Sequence, residues 1–137
     1  MTDPRERAYR AARYRVQDGD ETVEIRIGKP NLDADALLVR HGVAEGVLVT
    51  AWNPGSANRS VADNEEAGRA LQAELDRRGL AHLPHASSAP DGGWREPGFL
   101  VLGMAAEDGL ELACDFGQAA IVHLQAGLPA ALRFTGL

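Results

Sequence analysis

An apolar run that ends abruptly in a polar loop occupies residues 46–60, with the sequence GVLVTAWNPGSANRS. Its first half is mostly β-branched or aromatic and contains no charge, which predicts a strand buried on both faces. Pro54 ends this strand because proline cannot donate to a ladder. Ser60 with Asp63 fits the first turn of a helix, and Asp63 with Glu66 offers a second register. The sequence therefore predicts a buried strand, a polar loop and a helix whose free N–H groups point back at the loop.

The remaining pattern predicts an α+β fold. Pro84 places the strand around it at a sheet edge, because an interior strand needs every backbone donor. Crossovers alternate with hairpins, which favours a single domain over 1–137 with a mixed sheet covered by about three to four helices, rather than a doubly wound parallel sheet. The predicted elements are a helix to about residue 13, a strand at 22–27, a helix at 32–40, the central strand, a helix at 61–78, strands at 81–87 and 99–104, a helix at 105–116, and strands at 119–124 and 130–134.

Charge is distributed unevenly along the chain. The net charge is −6, which argues against nonspecific binding to nucleic acid. Residues 1–16 nevertheless contain five arginines and two acids, a local charge of +3 that leaves −9 for the rest. We expect this basic N-terminal segment to form an amphipathic helix docked on the domain with its arginines in solvent. The alternative is a surface for an anionic partner, so that the protein acts as an interaction module.

The cysteine and hydropathy patterns indicate a cytoplasmic protein. Cys114 is the single cysteine, so no internal disulfide can form, as is typical of a reducing compartment. We expect no signal peptide and no membrane contact, because no apolar run approaches the length needed to span a bilayer. The four histidines show no metal-ligand spacing, so we expect neither a metal nor another cofactor. A homo-oligomer remains open.

Four short motifs together resemble the bacterial family known as domain of unknown function 3293. The resemblance extends over about residues 8–122, and it implies small single-domain proteins without an established activity. In one departure, Gly98 stands where the resemblance leads us to expect a serine. The motifs are Thr50-Ala51-Trp52-Asn53-Pro54 with Ser56, Asn64-Glu65 with Arg69, Trp94-x-Glu96 with Phe99-Leu100-Val101, and Phe116-Gly117-Gln118-x-Ala120.

Polar residues cluster at the ends of the apolar elements, and they predict a ligand site at the loop 53–60. The start of a helix favours an anion, since its backbone N–H groups and its dipole are both positive there. We therefore expect an anionic metabolite or nucleotide as the ligand. The alternative is that the loop binds no ligand and is held together by its own hydrogen bonds. The predicted site residues are Thr50, Asn53, Ser56, Asn64, Arg69, Glu96 and Gln118.

Two of these residues allow sharper expectations. Asn64 shares a helical stripe with Leu71 and Leu75, so we expect it to be buried and hydrogen-bonded to the preceding loop; alternatively it is an exposed first-turn residue. Glu96 beside Trp94 is a candidate general acid or base, which would make the protein a small enzyme. The structural alternative is that Glu96 forms an ion pair with an arginine such as Arg69.

Overall fold

Four α-helices, a short 3₁₀ helix at Pro54–Ser56 and seven strands form the computed structural model, which describes residues 3–137. The predicted α+β class and the number of covering helices are confirmed. None of the helices in this part of the chain combines the length and the apolarity needed to cross a bilayer. The elements are, in chain order, α1 Glu6–Ala11, β1 Arg13–Asp18, β2 Glu21–Ile25, α2 Leu32–Arg40, β3 Glu45–Val49, α3 Val61–Arg77, β4 His82–Ser88, β5 Arg95–Leu102, α4 Ala106–Asp115, β6 Ala120–Gln125 and β7 Ala131–Phe134.

The seven strands form one curled sheet in the order β2-β1-β4-β5-β3-β6-β7. Every ladder in it is antiparallel. The predicted mixture of strand directions is limited to one parallel bridge, between Ile27 and Ala130, which lie next to the two edge strands. The Gly28 N–H donates to the Ala130 carbonyl there at 2.8 Å. The sheet is therefore curled far enough for its two edges to meet at this point.

The curl separates two hydrophobic cores. On the inner face, Leu37 and Leu38 of α2 pack against residues of both edges of the sheet. On the outer face, helices α3 and α4 cover the central strands. Leu48 belongs to the inner core, whereas its neighbours Val47 and Val49 belong to the outer one. Strand β3 is thus buried on both faces, as its uninterrupted apolar sequence predicts.

The N-terminal segment differs from the prediction. The helix α1 ends at Ala11, and residues 13–18 form a strand that pairs with both β2 and β4. Two flanking ladders here outweigh the helical pattern of the arginines, because Tyr14 and Val16 alternate into the inner core. Arg10 is also paired, with Glu6 at 3.1 Å, which reduces the free positive charge of this surface.

Strand β4 lies inside the sheet, so its predicted edge position is wrong. It is hydrogen-bonded to β1 on one side and to β5 on the other. Its ladder with β1 extends only from His85 to Ser88, which leaves Pro84 beyond the paired region. Pro84 thus lies outside the ladder with β1, although it is paired with Phe99 in the ladder with β5.

Candidate functional site

A cavity of about 500 Å³ opens on the inner face, beside the loop that follows β3. Its walls come from six of the strands and from α1, and its rim comes from the loop and the first turn of α3. This volume is within the range of about 300–1,000 Å³ that small-molecule sites occupy. Of the predicted site residues, those that line it are Thr50, Asn53, Ser56, Asn64, Glu96 and Gln118.

The loop at the rim has an unusual backbone. Asn53 and Ser56 have φ values of 48° and 63°, and they are the non-glycine residues of the described chain with positive φ. Left-handed backbone costs a residue with a Cβ on the order of 1–3 kcal/mol and persists only where other contacts enforce it. Here the Gly55 N–H donates to the Gly117 carbonyl at 2.8 Å, and the two glycines join the loop to the end of α4. Both strained residues line the cavity.

Asn64 is buried and forms hydrogen bonds with this loop, as we expected. It is 2% exposed. Its Oδ1 accepts from the Asn53 N–H and its Nδ2 donates to the Asn53 Oδ1, both at 2.9 Å. Helix α3 begins at Val61, because the Ser60 hydroxyl accepts from the Asp63 N–H at 3.1 Å. The alternative of a later helix start with an exposed Asn64 is therefore excluded.

Glu96 is the acidic group of the cavity. Burial raises the pKa of its carboxyl group, and a hydrogen bond from the Asn53 side chain acts in the opposite direction. No arginine within residues 3–137 forms an ion pair with Glu96. Glu96 therefore does not form the ion pair with Arg69 that the sequence offered as an alternative. The carboxyl group is left available to a molecule in the cavity.

The side chains of Thr50 and Gln118 form hydrogen bonds with backbone groups. The Thr50 hydroxyl donates to the Pro97 carbonyl at 2.6 Å and accepts from the Trp52 N–H at 3.1 Å. The Gln118 Nε2 donates to the carbonyls of Trp52 and Phe116 at 3.1 and 3.3 Å. These two residues shape the cavity by fixing the chain on either side of it.

Arg69 does not line the cavity, so the structure does not bring it together with the other predicted site residues. It is exposed and borders a separate groove between α3 and the outer face of the sheet, together with Glu65 and Gly68. Five residues of an α-helix turn the chain by about 140° beyond a full rotation. Arg69 therefore cannot share the helix face through which Asn64 reaches the loop.

His85 is a cavity residue that the sequence analysis missed. It is 6% exposed, and burial lowers its pKa to about 4. Its Nδ1 has no hydrogen-bond partner in the described part of the chain. Alternation along β4 places His85 on the same face as Ser87, but only the pairing of His85 with Val16 identifies that face as the inner one.

Gly98 is opposite His85 in the ladder between β4 and β5. A Cβ atom at this position would lie 2.3 Å from the Val49 carbonyl oxygen and 2.6 Å from Cε1 of His85. A serine, which the family resemblance leads us to expect, would collide with both. The glycine and the buried histidine therefore fit together as a pair.

Comparison with known proteins identifies a family but no activity. Residues 49–121, more than half of the chain, match the family described as "Protein of unknown function (DUF3293)". The match is narrower than the resemblance over 8–122: it begins at the last residue of β3 and includes the loop, α3, β4, β5 and α4. No curated protein and no solved structure matches the chain. This chain thus belongs to the DUF3293 family of proteins of unknown function.

Proposed function

We propose that this protein binds a small anionic molecule in the inner-face cavity. The observation that supports the proposal is the combination of apolar walls with a few polar groups that converge on one space. Asn53 and Ser56 border it from the strained loop, and Glu96 and His85 border it from the sheet. Concave, mostly apolar spaces with a small number of placed polar groups are typical of small-molecule sites.

The rim favours a negative charge on the ligand. Arg59 lines the cavity, is exposed, and forms no ion pair with any residue in 3–137. It immediately precedes Ser60, the cap of α3, so the positive end of the helix dipole adds to its charge. A carboxylate or phosphate at this rim would meet both. The metabolite or nucleotide expected from the sequence therefore remains our proposal for the ligand class.

Thermal unfolding in the presence of a library of carboxylates and nucleotides tests the proposal. A ligand at 100 times its dissociation constant stabilises the folded state by about 2.7 kcal/mol, so a true ligand raises the melting temperature measurably. We expect Arg59→Ala to reduce the shift. Arg26→Ala is the matched control, because Arg26 is also an exposed arginine and does not line the cavity. Equal shifts in the two variants would contradict the anion site, and no shift with any compound would overturn the proposal.

A second candidate function is catalysis at the same site. Its support is Glu96, a partly buried carboxyl group of the cavity whose pKa is raised by burial, which is the direction in which a carboxyl group becomes a better general acid or base. Once a ligand is identified, Glu96→Gln separates the two functions. An enzyme would keep its affinity for the ligand and lose turnover, whereas a binding protein would show no turnover in either form. A Glu96→Gln variant that converts the ligand as fast as the wild type would rule out Glu96 as the acid or base.

A further inference from the structure

Two buried side-chain nitrogens in residues 3–137 have no hydrogen-bond partner: Nε of Arg13 and Nδ1 of His85. Of the two residues, His85 lines the inner-face cavity, and it also borders the groove beside α3. An unpaired buried polar atom destabilises a fold, so a fold keeps one only where something compensates for it. The position of this nitrogen at a candidate binding site indicates what its partner is.

The ladder geometry fixes where the imidazole lies. His85 pairs with Val16 on one side and with Gly98 on the other. Its Cε1 occupies the space that a Cβ of residue 98 would need, next to the backbone of Thr50. The ring therefore extends from β4 across Gly98 of β5 toward the end of β3.

The two ends of the cavity differ in chemistry. Arg59 is exposed at the rim, whereas His85 is 6% exposed. Burial keeps His85 neutral at physiological pH, since its pKa is about 4. A neutral imidazole nitrogen can accept or donate one hydrogen bond but cannot balance a charge. The walls between the two ends include Leu48, Val122 and Leu132, which suit an apolar body.

We infer that His85 is a ligand-binding residue: its Nδ1 forms a hydrogen bond with an uncharged polar group, such as a hydroxyl, at the inner end of a ring carboxylate whose charged group lies at Arg59. This inference rests on the proposed function and deepens it, because it assigns the orientation and the class of the ligand. Hydroxylated aromatic carboxylates are the simplest compounds with this arrangement. Their rigid rings also lose little conformational entropy on binding.

Two probes that differ in one group test the inference. 6-Hydroxy-2-naphthoate and 6-methyl-2-naphthoate have the same shape and charge, and only the first can form a hydrogen bond at the far end. Both are titrated against the full chain at pH 7 by following their fluorescence. We expect the hydroxyl probe to bind the wild type at least ~10-fold more tightly, which corresponds to about 1.4 kcal/mol. We expect His85→Phe, which keeps a planar ring, to abolish the preference.

His82→Phe is the matched control, because His82 lies on the same strand and does not line the cavity. It should keep the wild-type preference. A second measurement needs no substitution: in wild-type protein labelled with ¹⁵N-histidine, the hydroxyl probe should shift the Nδ1 resonance of His85 more than the methyl probe does. This arm decides the question even if His85→Phe does not fold.

The failures of the two proposals are distinguishable. If both probes bind the wild type with equal affinity, or if His85 shows no selective shift, the role of His85 is overturned and binding in the cavity stands. If neither probe binds, the ring carboxylate class is overturned as well. If, in addition, no compound of the wider library raises the melting temperature, the proposed function itself is wrong.

Discussion

Asn64 connects α3 to the loop before it through two side-chain hydrogen bonds to Asn53. Asn64→Leu would leave the Asn53 N–H without its partner, and we expect it to lower the free energy of unfolding by about 1–3 kcal/mol. Chemical denaturation measures this value directly. Gln72→Leu is the control on the same helix, since Gln72 is exposed and should change stability by less than about 0.5 kcal/mol. A wild-type midpoint and slope for Asn64→Leu would contradict the assigned role.

His85 makes stability depend on pH in a definite direction. Burial lowers its pKa from 6.5 to about 4, so between these values the unfolded chain binds a proton that the folded chain does not. The stability that neutral His85 retains at pH 7 is therefore lost as the pH falls through this window. At about 1.36 kcal/mol per pKa unit, the loss is on the order of 3 kcal/mol.

Urea denaturation of the wild type and His85→Phe between pH 4 and 7 measures this contribution. Glu96 has the opposite sign, because its raised pKa makes stability fall as the pH rises through that pKa. It is present in both proteins, so the difference between them isolates His85. Two stability curves that run parallel over this range would refute the assignment of a neutral buried histidine.

At the scale of elements, two glycines inside helices have different reasons to be there. Ala is preferred to Gly in a helix interior by about 1 kcal/mol. A Cβ on Gly109 of α4 would lie 2.8 Å from both γ carbons of Val47, so this glycine allows the helix to approach the sheet. A Cβ on Gly68 of α3 would meet only the Trp52 Nε1, at 3.7 Å.

We therefore expect opposite outcomes from the same substitution. Gly109→Ala should destabilise the protein by about 1–3 kcal/mol through overpacking. Gly68→Ala should stabilise it by roughly 0.5–1 kcal/mol, because only the helix propensity changes. Thermal or chemical denaturation of the two variants measures these changes in the free energy of unfolding. Equal changes of the same sign would show that the distance between α4 and the sheet does not control packing here.

Elements with local signals could be predicted well from the sequence. The bounds of α2, Leu32–Arg40, agree because the Asn31 side chain caps the helix, accepting from the Ala34 N–H at 3.0 Å. Strand β1 could not be predicted in this way, since its conformation depends on ladders with β2 and with the distant β4. Its local cue was the alternation of Tyr14 and Val16 before a turn, which the arginines obscured.

The same division applies to the candidate site. The loop and the role of Asn64 could be predicted because a strand end, a turn and a helix cap are contiguous in the sequence. The positions of His85 and Arg69 could not be predicted, because they depend on sheet register and on the face of the sheet against which α3 packs. Only a known partner strand identifies the inner face of β4, and the sequence does not contain that pairing explicitly.

At the scale of the whole molecule, the curl of the sheet is what creates the inner cavity. A flat sheet of seven strands would place β1 and β6 far apart, yet residues of both line the same space. Residues 27 and 130 meet at the bridge that joins the two edges, and α2 fills the interior beneath them. The cavity is thus the part of the curled interior that the helix leaves open.

The position of β3 in the sheet has a consequence for synthesis. Val47 pairs with Val101 on one side and with His123 on the other, so both neighbours of this strand come much later in the chain. At about 5–20 residues per second, a ribosome needs roughly 3–10 s to make the first of these partners after Val47 itself, and longer for the second. During that interval the apolar strand has no ladder partner and its backbone donors are open to other chains. We therefore expect the nascent protein to rely on dilution or on a chaperone until β5 and β6 have both emerged.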